Sequence, residues 1–201
     1  MQPPGRAVIL KSRPPAGPDY RFSILTSDFT QTMEHHYLHS SFREKLIEHL
    51  FISELLKHSW VRGDFSLEVS KPEVDNQGYD IVAEANGVIR HIQLKAAYTG
   101  STTSQQKLHV ALAQKPSGCI VWVYFDQDSL ELGPFLFFGS SPGMGLPEIS
   151  GLKVARHTRA NAEGYKAERP AIRVVPKARF MPFKTVDELY EKLFGTGKQA
   201  K

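Results

Sequence analysis

Cysteine is nearly absent: Cys119 stands alone in 201 residues, so no disulfide can form within the chain. Set inside the apolar run Cys119-Ile120-Val121-Trp122-Val123-Tyr124-Phe125, it reads as a small buried hydrophobe. A reducing compartment fits, and a cytoplasmic location is the expectation. Long apolar runs are also missing. No stretch approaches the roughly 18 uninterrupted apolar residues of a membrane span, and the first residues lack the apolar segment of a signal peptide. Neither a membrane partner nor secretion is expected. His35, His36 and His39 lie close together, but without Cys-x-x-Cys or His-Glu-x-x-His they read as surface or capping histidines rather than zinc ligands. The glycines of Ser140-Ser141-Pro142-Gly143-Met144-Gly145-Leu146-Pro147 lack the spacing and the Lys-Ser/Thr ending of a phosphate-binding loop, which leaves turn chemistry.

What is present is enough for one sizeable core, with 41% hydrophobic residues. Charge is divided unevenly along the chain. Residues 151–201 hold twelve Lys or Arg against five Asp or Glu, a net of +7, whereas the whole chain carries +4 and residues 1–150 therefore −3. Lys153, Arg156, Arg159, Lys166 and Arg169 stand near His157, Asn161 and Tyr165, groups suited to phosphate and sugar contacts. This stretch is the expected nucleic-acid-holding side; its structural alternative is a solvated basic surface. The organisation expected is a partly ordered extension over residues 1–30, rich in Pro and Gly around Ala7-Val8-Ile9-Leu10. An α/β core over residues 31–150 follows, with a basic elaboration over 151–201 packed on the same domain.

The most informative stretch lies between Gly78 and Lys95. Asn86-Gly87 supplies the two positive-φ positions of a type I′ turn, and the flanking apolar, β-branched residues make a hairpin of Tyr79 to Glu84 and Val88 to Lys95. Side chains alternate along a strand, so Gln93 and Lys95 share one face and Leu94 takes the other. A carboxylate from Asp80, an amide oxygen and an ammonium group can converge there. Upstream, Ser41 to Trp60 reads as a helix buried on more than one side. At about 100° per residue, Glu48 falls in the arc of Phe51, Ile52 and Leu55, and an acid placed there needs a partner. Glu44, one turn earlier, is its rival. Further expected elements are a strand from Phe65 to Val69, a polar loop from Thr99 to Ser104 and a short helix from Gln105 to Gln114. Cys119 to Phe125 is expected as a doubly buried strand, followed by strands at 134–139, 172–175 and 180–183 and a helix from Val186 to Phe194 capped by Thr185.

This order of elements, with an inward Glu, an Asp and Gln-x-Lys at these places, resembles the PD-(D/E)XK nuclease superfamily over roughly residues 40–126. The resemblance implies a three-layer α/β/α, restriction-endonuclease-like core with a mixed central sheet, and Mg²⁺-dependent hydrolysis of DNA phosphodiester bonds, with Mn²⁺ as a substitute cation. Asp80 takes the place of the motif Asp, Gln93 that of the second acid, Lys95 that of the motif Lys, and Glu48 that of the acid on the first helix. Asp80, Gln93, Glu48 and the Leu94 carbonyl would then hold the cation, a hard ion preferring oxygen ligands at about 2.0–2.1 Å, while Lys95 assists the attacking water. Gln93 stands where the commonest pattern has Asp or Glu, so weak metal binding is expected in the absence of DNA. The competing structural readings are a turn acid at Asp80, a solvated strand end at Lys95 and a Glu48 paired with Lys45 or Lys95. The competing functional reading is a catalytically inactive nuclease-fold protein that binds nucleic acid or serves as an assembly module; RNA is a further substrate the site would accept. A homodimer is compatible with either.

Overall fold

The turn that organises the fold is Asn86-Gly87, with φ of 54° and 73°. It joins β2 (Ile81–Ala85) to β3 (Val88–Tyr98) as an antiparallel hairpin running from Ala85 opposite Val88 to Ile81 opposite Ile92. The computed structural model describes residues 38–74, 76–162 and 164–195. The chain divides into two compact units, residues 1–40 and 41–201, and nearly all described residues belong to the second. The expected extension over 1–30, with Ala7 to Leu10, and His35 and His36 lie outside the described residues.

Beside the hairpin, β5 (Gly118–Phe125) runs parallel to β3 and is buried along its whole length, as its unbroken apolar sequence requires of a central strand. With β1 (Glu68–Ser70), β6 (Leu132–Gly139) and β9 (Met181–Phe183) these strands form a six-stranded mixed sheet in the order β1-β2-β3-β5-β6-β9. The fold is thus α/β with a mixed central sheet.

Both α-helices of the described residues cover one face. On α1 (Ser40–Arg62), Ile47, Phe51 and Leu55 recur every fourth residue and make a single buried stripe. On α2 (Val186–Phe194), Leu189, Tyr190, Leu193 and Phe194 complete that core against Ile81, Ile92, Val121 and Val123. The first helix was expected to be buried on more than one side; instead Phe42, Leu56, Trp60 and Val61 are exposed on its outer face. The expected cap of α2 is present, Thr185 Oγ1 accepting from Glu188 N at 3.3 Å, and Gly195 at φ 77° ends the helix. Thr185→Ala should cost about 1 kcal/mol of stability, read as a lowered urea midpoint with unchanged slope.

The opposite face is covered by a second sheet rather than a helix. Residues 105–114, expected as a helix, are β4 (Gln105–His109) followed by a 3₁₀ turn at Val110–Gln114. Tertiary pairing overrides the weak local preference: β4 pairs with β8 (Glu168–Pro176), which pairs in turn with β7 (Val154–Arg156). His109 then caps the 3₁₀ turn, its Nδ1 accepting from Ala111 N at 3.2 Å. Leu108, Leu112, Val175 and Phe180 close this layer over Ile120, Trp122 and Tyr124 of the central sheet.

Candidate active site

The hairpin is asymmetric, and that asymmetry makes the site. Among the described residues β2 stops at Ile81 while β3 continues to Tyr98, so past Ile92 one edge of β3 has no neighbouring strand. Asp80 sits where the strands part. Its N–H donates to Ile92 O at 2.9 Å, and its Oδ2 accepts from Leu94 N at 2.7 Å, satisfying an edge amide that no strand pairs. The approach to Asp80 is held firmly. Gly78 has φ 75°, and a Cβ there would collide with the His109 side chain. The Tyr79 ring meets His91 edge-on at 4.9 Å and carries the Lys115 ammonium 5.4 Å from its centre.

A cleft of about 490 Å³ opens along this edge, lined by Asp80, Leu94, Lys95 and Ala96, by Glu48 with Arg43, Glu44, Lys45 and Ile47 of α1, and by Gln106 of β4. Two faces of the sheet contribute. Leu94 lies opposite Val121 of the helix-side core, whereas Gln93 and Lys95 lie opposite Ile120 and Trp122 of the other layer. Glu48 and Lys95 therefore reach the cleft from opposite sides of the open edge. Gln93 does not line it. It is 8% exposed beside it, and its Oε1 has no hydrogen-bond partner among the described residues.

Glu48 is buried at 6% exposure and is held by two lysines. Lys45 Nζ lies 3.1 Å from Oε2, and Lys71 Nζ contacts Oε1. The Lys71 contact is an ion pair between an exposed ammonium and a buried carboxylate. Burial acts to raise the Glu48 pKa, but the ammonium groups of Lys71 and Lys45 outweigh it and hold the carboxyl below its ordinary range. The pairing with Lys45 is the structural alternative weighed for this residue; the role of Lys71 is new. Lys71 directly follows β1, whose Ser70 pairs with Val82, two positions from Asp80. Only that long-range register brings it here, and nothing local in the sequence marks it. Glu44, the rival acid, also lines the cleft.

No family model and no curated protein matches this chain. Among solved structures, a bacterial homing endonuclease, I-Ssp6803I, is similar over part of its length. It is 17% identical, with 61% of this chain and 82% of that chain covered, at a TM-score of 0.30.

The donors suit a hard divalent cation in kind. Asp80, Glu48 and Glu44 line one cleft together with Leu94, and the neighbouring residue Gln93 has an Oε1 unsatisfied among the described residues. In number they are few: among the described residues no group of three His, Cys, Asp or Glu gathers to hold a metal. The cleft is also rich in cations, with Arg43, Lys45 and Lys95 lining it and Lys71 reaching in to Glu48.

The basic residues expected to hold nucleic acid occupy the hairpin of β7 and β8. Lys153, Arg156, Arg159 and Lys166 are exposed and Arg169 is half-buried. Arg156 makes a solvated contact with Glu168 at 3.5 Å. Between the strands, Asn161 Oδ1 accepts from Tyr165 N at 2.8 Å, and Tyr165 is exposed. One further motif is excluded by its context. Gly139-Ser140-Ser141-Pro142-Gly143 spells the Gly-x-Ser-x-Gly of a nucleophile elbow, but β6 leads there into a loop instead of the helix such an elbow needs. Among the described residues no helix is long and apolar enough to cross a membrane.

Proposed function

We propose that this protein is a divalent-cation-dependent nuclease that hydrolyses phosphodiester bonds of DNA at the cleft beside β3. The observation that carries the reading is the meeting of Asp80, Glu48, Leu94 and Lys95 at one open strand edge, in the lining of a single cleft of about 490 Å³. Asp80, Glu48 and the Leu94 carbonyl would hold Mg²⁺ or Mn²⁺, with Gln93 as a neutral contributor from below. When bound, the cation supplies charge against the scissile phosphate and a water of lowered pKa. Lys95 orients that water and offsets the negative charge that builds on the phosphorane. Arg43 and Lys45 attract the backbone into the cleft, and Lys153, Arg156, Arg159, Lys166 and Arg169 on the β7–β8 hairpin supply contacts to neighbouring phosphates.

The test is a panel of supercoiled, linear, single-stranded and branched DNA, with RNA, incubated with Mg²⁺, with Mn²⁺ and with chelator. Metal-dependent cleavage by the wild type, lost in an Asp80 variant, is the expected outcome. Silence of both proteins across the panel overturns the reading. One observation favours the second reading, a nucleic-acid-binding or assembly module without turnover: Glu48 is already neutralised by two lysines. On that reading, salt-sensitive DNA binding survives replacement of both Asp80 and Lys95.

The neutral amide of Gln93 should limit cation affinity. Gln93→Glu adds a charged oxygen and is expected to lower the Mg²⁺ concentration giving half-maximal cleavage by roughly tenfold, about 1.4 kcal/mol. An unchanged or higher requirement would remove Gln93 from the cation site.

A further inference from the structure

We infer that Lys71 is an internal counter-cation of the cleft, occupying Glu48 until nucleic acid draws it away, and that it thereby makes cation binding conditional on DNA. The inference rests on the nuclease reading and adds a positioning residue to it.

Glu48 is 6% exposed, and two ammonium groups face its two carboxylate oxygens, Lys45 on Oε2 at 3.1 Å and Lys71 on Oε1. The two lysines are not equivalent. Lys45 stands one turn from Glu48 on the same helix, so its position follows from the helix itself. Lys71 comes from a separate element, at the end of β1, and leans across on a flexible stem. Its side chain is 36% exposed in that pair against 7% for Glu48, so a stronger anion arriving from solvent can draw the lysine away.

A divalent cation entering the DNA-free cleft must displace Lys71 from Glu48 and also approach Arg43, Lys45 and Lys95. The balance changes when a phosphodiester lies in the groove. Its negative charge offers Lys71 a new partner, returns Oε1 of Glu48 to the cation and supplies a further oxygen. Linkage then requires reciprocity: DNA tightens cation binding by the same factor by which the cation tightens DNA binding.

The experiment is calorimetry of the full chain with Mn²⁺ alone, and with Ca²⁺ in the presence and absence of a short duplex, for wild type, Lys71→Met and Lys71→Arg. Expected for Lys71→Met is Mn²⁺ affinity on the order of tenfold above wild type without DNA, with a correspondingly smaller gain in Ca²⁺ affinity on adding duplex. Lys71→Arg keeps the positive charge and should behave as wild type, which a merely structural loss at this position would not do. If all three proteins bind cation equally and respond equally to duplex, the role of Lys71 is overturned while the cation site stands. Absence of cation binding in every arm overturns both. Thermal melting of each variant shows that the comparison is between folded proteins.

Discussion

Replacing Asp80 by Asn is expected to lower metal-dependent cleavage by roughly 10³-fold, close to 4 kcal/mol of transition-state stabilisation, with little change in folding. Asparagine is the informative substitution because Asp80 does two things. Its Oδ2 accepts from Leu94 N at 2.7 Å, closing the unpaired edge of β3, and its charge is what a cation would bind. Alanine removes both, leaving a part-buried amide without a partner at a cost of roughly 1–3 kcal/mol, so a loss of activity could reflect a frayed strand edge. Asparagine keeps an oxygen to accept that hydrogen bond and removes only the charge. The two variants together separate the roles: Asp80→Ala should melt earlier than Asp80→Asn, and both should be equally poor at cleavage. A cleavage rate for Asp80→Asn within about threefold of wild type would show that this carboxylate does not carry the chemistry.

Local signals account for much of what the sequence discloses. Asn86-Gly87 forces positive φ, the run from Cys119 to Phe125 has no polar face to give to water, and Thr185 with Glu188 marks a helix start; each feature appears where its own chemistry puts it. Gln105 to Gln114 shows the limit. Five residues with one buried leucine, Leu108, have no decisive period, and pairing of Gln106 and Lys107 with Val175 and Val174 far along the chain makes them a strand. Of the far layer, only β8 was legible, through its expected strand at 172–175; β4 and the three-residue β7 were not. The cleft divides in the same way. Asp80 and Lys95 could be read from hairpin register and alternation, and Glu48 from helical periodicity. Their meeting at an open edge, with Glu48 and Lys95 arriving from opposite faces, depends on how far β3 outruns β2. Lys71 depends on the β1–β2 register, which no short-range pattern encodes.

The second large effect concerns Arg90, a residue with no sequence signal of its own. It is fully buried on β3, and its guanidinium has no carboxylate partner among the described residues. Instead Nε donates to Leu193 O at 2.7 Å, Nη2 to Lys192 O at 3.1 Å and Nη1 to Ser140 O at 3.1 Å. Two of these carbonyls belong to the last turn of α2, where the chain leaves backbone acceptors unpaired and the helix dipole is negative. Burial lowers the Arg90 pKa, and the neighbouring Cys119 opposes that shift. The thiol is itself pushed up to about 12 by burial. The planar fork is thus what joins the central hairpin to the C-terminal helix. Arg90→Met fills much of the same volume but leaves three carbonyls without donors, and is expected to cost about 3–5 kcal/mol, or roughly 10 °C in melting temperature. Arg90→Lys, with one ammonium in place of a fork, should fall between. A loss below about 1 kcal/mol for Arg90→Met in urea unfolding would mean that those carbonyls find other donors. Arg90 and Lys95 share a strand, so the melt also decides how any fall in cleavage is read. Loss of activity in Arg90→Met at temperatures where the protein is still folded would mean that docking of α2 sets the geometry of the strand edge, and not only its persistence.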